Sequence, residues 1–332
     1  MPHETIRALM CSAADRRFCL DLAGVLAVER GARLIPHTGP TGPAPTSPAA
    51  WIVRAGKRIP VYGLAERLGI GPPPLRAGAV IVFDHASPWA LAADDVSRFE
   101  RDLARTDPIP AFAGAAAWFR GSIVHDGAVV LCLDPARLHP LAPTPPAAPD
   151  PVSLPRAAAA PRRPSPIGRL LLFSPANPSA RLVFGLSYTE VIEILAGARL
   201  TAVPGAPPHI LGLVPWRGRS VPVLDAGALL GLEPLNGGTG RRLVIARSAG
   251  APVALPAGGE VRTQSLPFPH RDAASPSVYA RGAFEIGGGR LLVLPHLDRM
   301  AAPSCQLPTL RTPNIPMKSG ASSVEKDRKV PN

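Results

Sequence analysis

The side chains that could do chemistry in this chain are eight histidines, four cysteines and a scattering of carboxylates. Their spacing assembles no reaction centre. There is no G-x-S-x-G elbow, no H-E-x-x-H pair, no P-loop and no G-x-G-x-x-G following a strand. Gly287 to Gly289 reads as a hairpin turn, because no helix follows it to cradle a phosphate. His125-Asp126 falls in an expected turn, where such a pair is solvated, and His209 and His296 have no acid or nucleophile at useful spacing. Cys11, Cys19, Cys132 and Cys305 form no C-x-x-C pair and have no histidine at ligand spacing. The expectation is therefore no catalytic residues, no metal, no cofactor, and reduced thiols in a cytoplasmic protein.

The positive charge reads first as an Ala/Pro/Arg-rich usage bias, with which an acidic protein partner is compatible. The formal net charge is +12, mostly from arginine. The arginines are scattered singly, and the only doublets are Arg16-Arg17, Arg162-Arg163 and Arg241-Arg242. No aromatic residues interleave with them as a nucleic-acid stacking platform needs. Nucleic acid is thus a rival reading and not the expected partner, whereas an acidic protein surface suits the charge. No stretch approaches the roughly 20 apolar residues of a membrane helix, and the N-terminus, with Glu4, lacks the apolar run of a signal peptide.

The elements that must carry these residues come in two sets. Trp51 to Ile70, WIVRAGKRIPVYGLAERLGI, aligns without a gap on Leu213 to Leu232, LVPWRGRSVPVLDAGALLGL. Gly56/Gly218, Pro60/Pro222, Val61/Val223, Leu68/Leu230 and Gly69/Gly231 are identical. Arg120-Gly121 matches Arg281-Gly282, and Arg16 to Leu20 matches the stretch ending at Leu186, with offsets of 161 and 166 residues against 162 for the main repeat. Such a period is a domain length and far exceeds a solenoid unit. The chain reads as a duplicated domain: a divergent copy over 1–140, a Pro/Ala-rich linker over 141–167, a standard copy over 168–302, and a basic tail over 303–332 that is expected to be disordered.

With 43 prolines and 31 glycines, the chain favours short strands and many turns over long helices. In copy 2, strands are expected at Arg169–Phe173 and Arg181–Phe184 about the turn Pro175–Pro178. Further strands are expected at His209–Val214, Val221–Leu224, Leu243–Ala246, Val253–Leu255, Ala283–Ile286 and Leu291–Leu294. Thr189 to Leu195 is expected to be a short helix and Ala226 to Leu232 a second one ended by Gly231. Copy 1 follows the same order, with Val80–Phe83 as a strand, a last hairpin over Ser122–Leu133, and a longer loop near His37–Ala50. The fold class is all-β, with two small antiparallel barrels per copy.

Copy 2 resembles the CheW-like domain, the adaptor of bacterial chemotaxis arrays and the regulatory domain of CheA-type histidine kinases. The residues that carry the resemblance are Phe184-Gly-Leu, Val191-x-Glu193-Ile194, Val203-Pro-Gly-Ala-Pro207 and Ile210-Leu-Gly212. It continues through Trp216-Arg217-Gly218, Val221-Pro-Val-Leu-Asp225 and Leu230-Gly-Leu232. The resemblance implies two five-stranded β-barrels around an apolar groove and no catalysis. It also implies a role coupling the cytoplasmic tip of a chemoreceptor to the kinase regulatory domain. No phosphoacceptor or ATP-binding domain fits in the remaining sequence. The resemblance further implies that Glu193, on the first short helix, and Arg217, before the turn glycine, pair to bridge the two barrels. The aligned residues of copy 1 are Ala27 and Ala55, so the pair is expected to be absent there. Asp225 belongs to the same motif and is Gly63 in copy 1. Val191, Ile194, Leu213 and Val221 are candidates for the groove, and Trp216 and Trp51 for partner anchors. Pro215 stands where the family commonly has Asn, and its missing N–H suits an edge strand. A purely structural array component is the remaining alternative.

Overall fold

The computed structural model describes residues 7–37, 47–72, 77–100, 106–109, 118–139, 168–175, 181–232, 242–249, 251–266 and 277–302. The linker at 141–167, the tail from 303, Cys305 and most of the Pro175–Pro178 turn lie outside the described residues.

Copy 1 contains β1 (Arg7–Ala13), β2 (Arg16–Asp21), β3 (Val25–Arg30), β4 (Ile35–Pro36), β5 (Ala50–Arg54), β6 (Lys57–Gly63), α1 (Leu64–Arg67), β7 (Ala79–Phe83), β8 (Trp89–Ala93), β9 (Asp95–Glu100), β10 (Phe119–His125), β11 (Ala128–Leu133) and α2 (Pro135–Leu138). Two sheets result, in the orders β10-β11-β2-β1-β9 and β3-β7-β8-β6-β5-β4. Copy 2 contains β12 (Gly168–Pro175), β13 (Leu182–Ser187), β14 (Val191–Leu195), β15 (Ile210–Trp216), β16 (Arg219–Leu224), α3 (Ala226–Leu229), β17 (Arg242–Ala246), β18 (Val253–Leu266), β19 (Ala280–Ile286), β20 (Arg290–Pro295) and α4 (Leu297–Met300). Its strands join in one nine-stranded sheet. The reason is β18, whose first residues pair with β17 and β16 while its remainder pairs with β12. In copy 1 the corresponding run is interrupted at Asp94, between β8 and β9.

Each copy therefore has two five-strand curls, as expected, and copy 1 adds the two-residue β4 to its second one. The curls are not closed barrels. Among the described residues no ladder joins β9 to β10, β3 to β5, or β14 to β15. Side chains span the gaps instead.

The expected helix over Thr189–Leu195 is a strand. Val191–Leu195 forms β14, antiparallel to β17 with a bulge between Val191 and Glu193. Three β-branched residues in five suit a pleated surface better than a helical turn. The same bulged strand occurs in copy 1, where β3 pairs with β7. The two registers make Val25 equivalent to Val191, Ala27 to Glu193 and Val28 to Ile194.

Each copy has a buried cluster inside each of its two curls and a further core shared between them. Val214, Val221, Val223, Leu243, Ile245 and Ala254 fill the second curl of copy 2. Its counterpart in copy 1 holds Ile52, Ile59, Val61, Val80 and Val82. The largest buried cluster runs through both copies, including Phe18, Leu20, Leu91 and Leu131 of copy 1 and Phe173, Phe184, Leu213 and Leu229 of copy 2. The free cysteines Cys19 and Cys132 are buried register partners on β2 and β11. Their equivalents in copy 2 are Gly185 and Leu294. A Cβ on Gly185 would come within 3.0 Å of Leu294 Cδ2. Copy 1 thus fills with two medium side chains what copy 2 fills with one large side chain against a glycine.

The copies meet in a polar seam between the β10–β11 hairpin and the β15–β16 hairpin. Ser122 Oγ and Ser220 Oγ are 2.7 Å apart, Ser220 N–H donates to Asp107 Oδ2 at 2.7 Å, and Thr201 Oγ1 donates to the Val129 carbonyl at 3.0 Å.

Two predictions follow from the buried backbone and the buried imidazole. Gly212 has φ +145, and a Cβ there would lie 2.4 Å from the Thr201 carbonyl oxygen. Gly212→Ala is expected to cost about 2 kcal/mol or more in urea denaturation and to break the Thr201–Leu213 bridge. His209 is buried, neither ring nitrogen has a hydrogen-bond partner, and burial lowers its pKa from 6.5 to about 4. Protonation therefore favours the unfolded chain: the stabilisation is complete above pH 6.5 and declines as pH falls towards 4. The unfolding free energy from urea denaturation should fall over that window, by at most about 1.4 kcal/mol per pH unit, and His209→Phe should flatten the fall.

Candidate functional site

The gap between β14 and β15 is where the charged residues of copy 2 gather. Glu193 Oε2 accepts from Trp216 Nε1 at 2.9 Å and from Arg217 Nη2 at 3.0 Å. Arg217 also lies over the Trp216 ring, 4.8 Å from its centroid. The three side chains form one cluster: a carboxylate held by an indole N–H and a guanidinium, with the guanidinium stacked on the indole. These hydrogen bonds, Trp216's first, hold the Glu193 carboxyl below its ordinary pKa.

Local sequence explains the placement. Trp216 and Arg219 end the β15–β16 ladder, leaving Arg217-Gly218 as a two-residue turn. Both residues have positive φ, 49° and 76°, as the tight turn of a right-twisted hairpin requires. Pro215 sits one residue earlier, on a strand whose outer side, among the described residues, pairs only through the Thr201–Leu213 bridge, so its missing N–H costs no ladder bond there.

The cluster does not bridge two barrels. β14 and β15 are the two ends of the same curl, in the order β14-β17-β18-β16-β15. Glu193, Trp216 and Arg217 close that curl with side chains where backbone pairing stops. The clasp between curls is a different pair: Arg281 Nη2 on β19 donates to Glu190 Oε1 at 2.6 Å, and Glu190 lies where the chain crosses from β13 to β14. The matching Arg120 of copy 1 donates to Asp21 Oδ2 at 2.6 Å. The signal for this clasp was present in the repeat as the Arg-Gly pairs at 120–121 and 281–282, but their acids lie at different alignment positions.

Copy 1 lacks the Glu193–Arg217 pair but has not lost the function of closing the curl. Ala27 and Ala55 occupy the equivalent positions, and Ala55 has φ 47, like Arg217. Glu29 and Arg54, each displaced along its own strand, make an ion pair of 3.7 Å across the gap between β3 and β5. Trp51 instead donates to His37 Nδ1 at 3.3 Å.

The remaining candidates divide by burial. Leu213 and Val221 are core, in the shared and the internal cluster respectively, and so do not line an open groove. Val191 is half-buried against the shared core, while Ile194 is 42% exposed. Asp225 is buried at 1% exposure and caps α3, accepting from Ala228 N–H at 3.1 Å. Its role is to turn β16 into the helix. The accessible candidates are Glu193, Ile194, Trp216 and Arg217; Glu193, Trp216 and Arg217 share one rim of copy 2, and Ile194, the next residue after Glu193 on β14, faces the other side of the strand.

Among the described residues no group of three or more His, Cys, Asp or Glu side chains is placed to hold a metal. His125 Nε2 lies 3.2 Å from Asp126 Oδ2 in the β10–β11 turn. No helix of the described residues is long and apolar enough to cross a membrane.

The family model for the CheW-like domain matches residues 7–141 and 178–303, and the chain belongs to that family, with two domains in tandem. Among solved structures, the scaffolding protein TtCheW from Thermoanaerobacter tengcongensis is similar, at 18% identity and a TM-score of 0.34, over 42% of this chain and 89% of that one. No curated protein matches.

Glu193 should titrate below its ordinary value when followed through the Trp216 indole N–H resonance. Trp216→Phe and Arg217→Ala should each raise that midpoint, the former read from the Glu193 side-chain carbons. A midpoint that neither variant moves would show that the cluster does not form in solution.

Proposed function

We propose that this protein is a cytoplasmic, non-catalytic adaptor in chemotaxis-type signal transduction that couples chemoreceptors to a CheA-type histidine kinase. The observation that carries this reading is the tandem of CheW-like domains, in which copy 2 presents the Glu193–Trp216–Arg217 cluster on an accessible rim. A stacked, hydrogen-bonded tryptophan and arginine form a surface of the kind that dominates binding energy at protein interfaces. Glu193, Ile194, Trp216 and Arg217 are assigned to partner contact. Leu213, Val221 and Asp225 shape the strands behind them, and Val191 supports β14 from below.

The two domains differ in what they offer. Copy 1 carries Ala27 and Ala55 at the positions of Glu193 and Arg217, so its corresponding rim lacks the stacked cluster. Copy 2 is assigned the coupling contact. Copy 1 then serves as a second module that fixes how copy 2 is presented, because the seam joins the two through hydrogen bonds and a shared apolar core.

The test is the affinity of the full chain for the regulatory domain of a CheA-type kinase, at low and high salt. Binding is expected to weaken roughly tenfold, about 1.4 kcal/mol, in Arg217→Ala, and to weaken again in Ile194→Lys. Salt should matter modestly. A steep loss of affinity with salt, shared by DNA or RNA fragments, would instead indicate phosphate binding. Binding with no change in kinase activity would mark a structural array component. Absence of binding would overturn the coupling role for that kinase.

A further inference from the structure

The first curl of copy 1 holds two thiols side by side. Cys19 on β2 and Cys132 on β11 are register partners in a parallel ladder. Neighbouring strands lie about 4.8 Å apart, inside the Cα separation of roughly 4.4–6.8 Å that a disulfide spans. Register partners point to the same side of a sheet, and both thiols lie in one buried cluster with Ala8, Phe99, Ile123 and Val130. Cys11, the third described cysteine, is on the opposite face of the same sheet. It belongs to the core shared between curls, and its thiol donates to the Phe18 carbonyl at 3.6 Å. Copy 2 has Gly185 and Leu294 in place of the pair, so the pair is a property of copy 1 alone.

The two thiols differ in character, and a hollow leads towards them. Hydrogen bonding between them lowers the pKa of Cys19 and raises that of Cys132, and the nearby Arg120 guanidinium favours the thiolate at both. Cys19 is thus the nucleophile of the pair, and Cys132 keeps its proton. At Cys11, by contrast, burial pushes the pKa up to about 12. Strand alternation places Met10, Arg17, Ser97, Phe99 and His125 on the same inner face of the curl as the thiols. These five residues help to line a hollow of about 480 Å³. Phe99 belongs to the cluster that holds the thiols and Met10 packs against it, so the hollow ends at that cluster. The hollow adjoins the β9–β10 gap, which no ladder closes among the described residues.

We propose that Cys19 and Cys132 are a reversible dithiol–disulfide site that fastens β11 to β2, oxidised by a small peroxide and reduced by a dithiol. The Cys19 thiolate attacks one oxygen of hydrogen peroxide and releases hydroxide, which takes up a proton to become water. Cys132 then attacks the sulfur of the resulting sulfenic acid, and its proton leaves with the second oxygen as water. Two thiols and one peroxide give one disulfide and two waters, and two electrons pass from the sulfurs to the peroxide. The bond closes a loop over most of copy 1, which restricts the unfolded chain strongly. It also fastens the strand whose Val129 carbonyl accepts from Thr201 of copy 2, so oxidation stiffens the copy 1 side of the seam. None of this uses the Glu193–Trp216–Arg217 cluster, so failure of the coupling role leaves it standing.

The experiment treats the folded full chain with hydrogen peroxide, blocks the remaining thiols with iodoacetamide and maps the peptides by mass spectrometry. A linked Cys19–Cys132 peptide is expected, two hydrogens lighter than the reduced pair. The thermal midpoint of the oxidised chain should lie about 5 °C or more above that of the reduced chain. Dithiothreitol should reverse both changes. Cys19→Gly combined with Cys132→Leu installs the packing that copy 2 uses, and should show neither the link nor the shift. The wild-type peptide map stands without that variant if it fails to fold. A pair that stays as two free thiols at every peroxide concentration that preserves the cooperative transition would overturn the proposal. So would a link that forms only in urea-unfolded chain, a linked chain with an unchanged midpoint, or an equal shift in the double variant.

Discussion

A sheet of five short strands curls nearly far enough to close but leaves two edges facing each other, and the rest of this structure answers that gap. Buried or half-buried edges carry N–H and C=O groups that must find partners. In the second curl of copy 2, the Thr201–Leu213 bridge covers part of β15, and Pro215 removes one donor altogether. The Glu193–Trp216–Arg217 cluster ties the two edges by side chains. On β16 the Ser220 N–H, which no strand reaches, is satisfied by Asp107 of the other copy. Closure of the curl, presentation of the candidate site and docking of the two copies are therefore solutions to one constraint.

The two copies show how much freedom that constraint leaves. The β3–β5 gap of copy 1 is spanned by Glu29 and Arg54, not by residues at the equivalent positions. A half-buried ion pair displaced along both strands spans the gap there, because its length requirement is loose. What it does not reproduce is the indole stacked under the guanidinium. The interior changed by the same kind of compensation, with Cys19 and Cys132 standing where copy 2 has Gly185 and Leu294. Packing conserves volume across a contact more strictly than it conserves residue type.

Much of the fold was legible in the alternation of short apolar runs and turns. The hairpins at 122–133, 210–224 and 280–295 follow from two- and three-residue turns rich in glycine, because those turns set the register of the strands they join. The helix expected at Thr189–Leu195 fails for a reason of scale. Five residues with three β-branched side chains fit either period, and only the neighbouring β17 decides for the strand. Of the site, the residues Glu193 and Arg217 were legible and their job was not. Which barrel a strand belongs to depends on sheet order, and sequence separation is a poor guide to that. For the same reason Arg281 and Arg120 were visible as repeat anchors, while their acids, Glu190 and Asp21, were not.

By itself the sequence determined the duplication, the all-β class and the identity of the turn and motif residues, because these depend on local conformational preference and on repetition of a pattern. Tertiary structure alone decided that Leu213, Val221 and Asp225 are buried, that Glu193, Trp216 and Arg217 cluster across one gap of copy 2, and that the copies join through unlike faces. Each of these depends on which strands curl together and which edges are left unpaired. That choice is made by long-range packing, for which the chain carries no local signal.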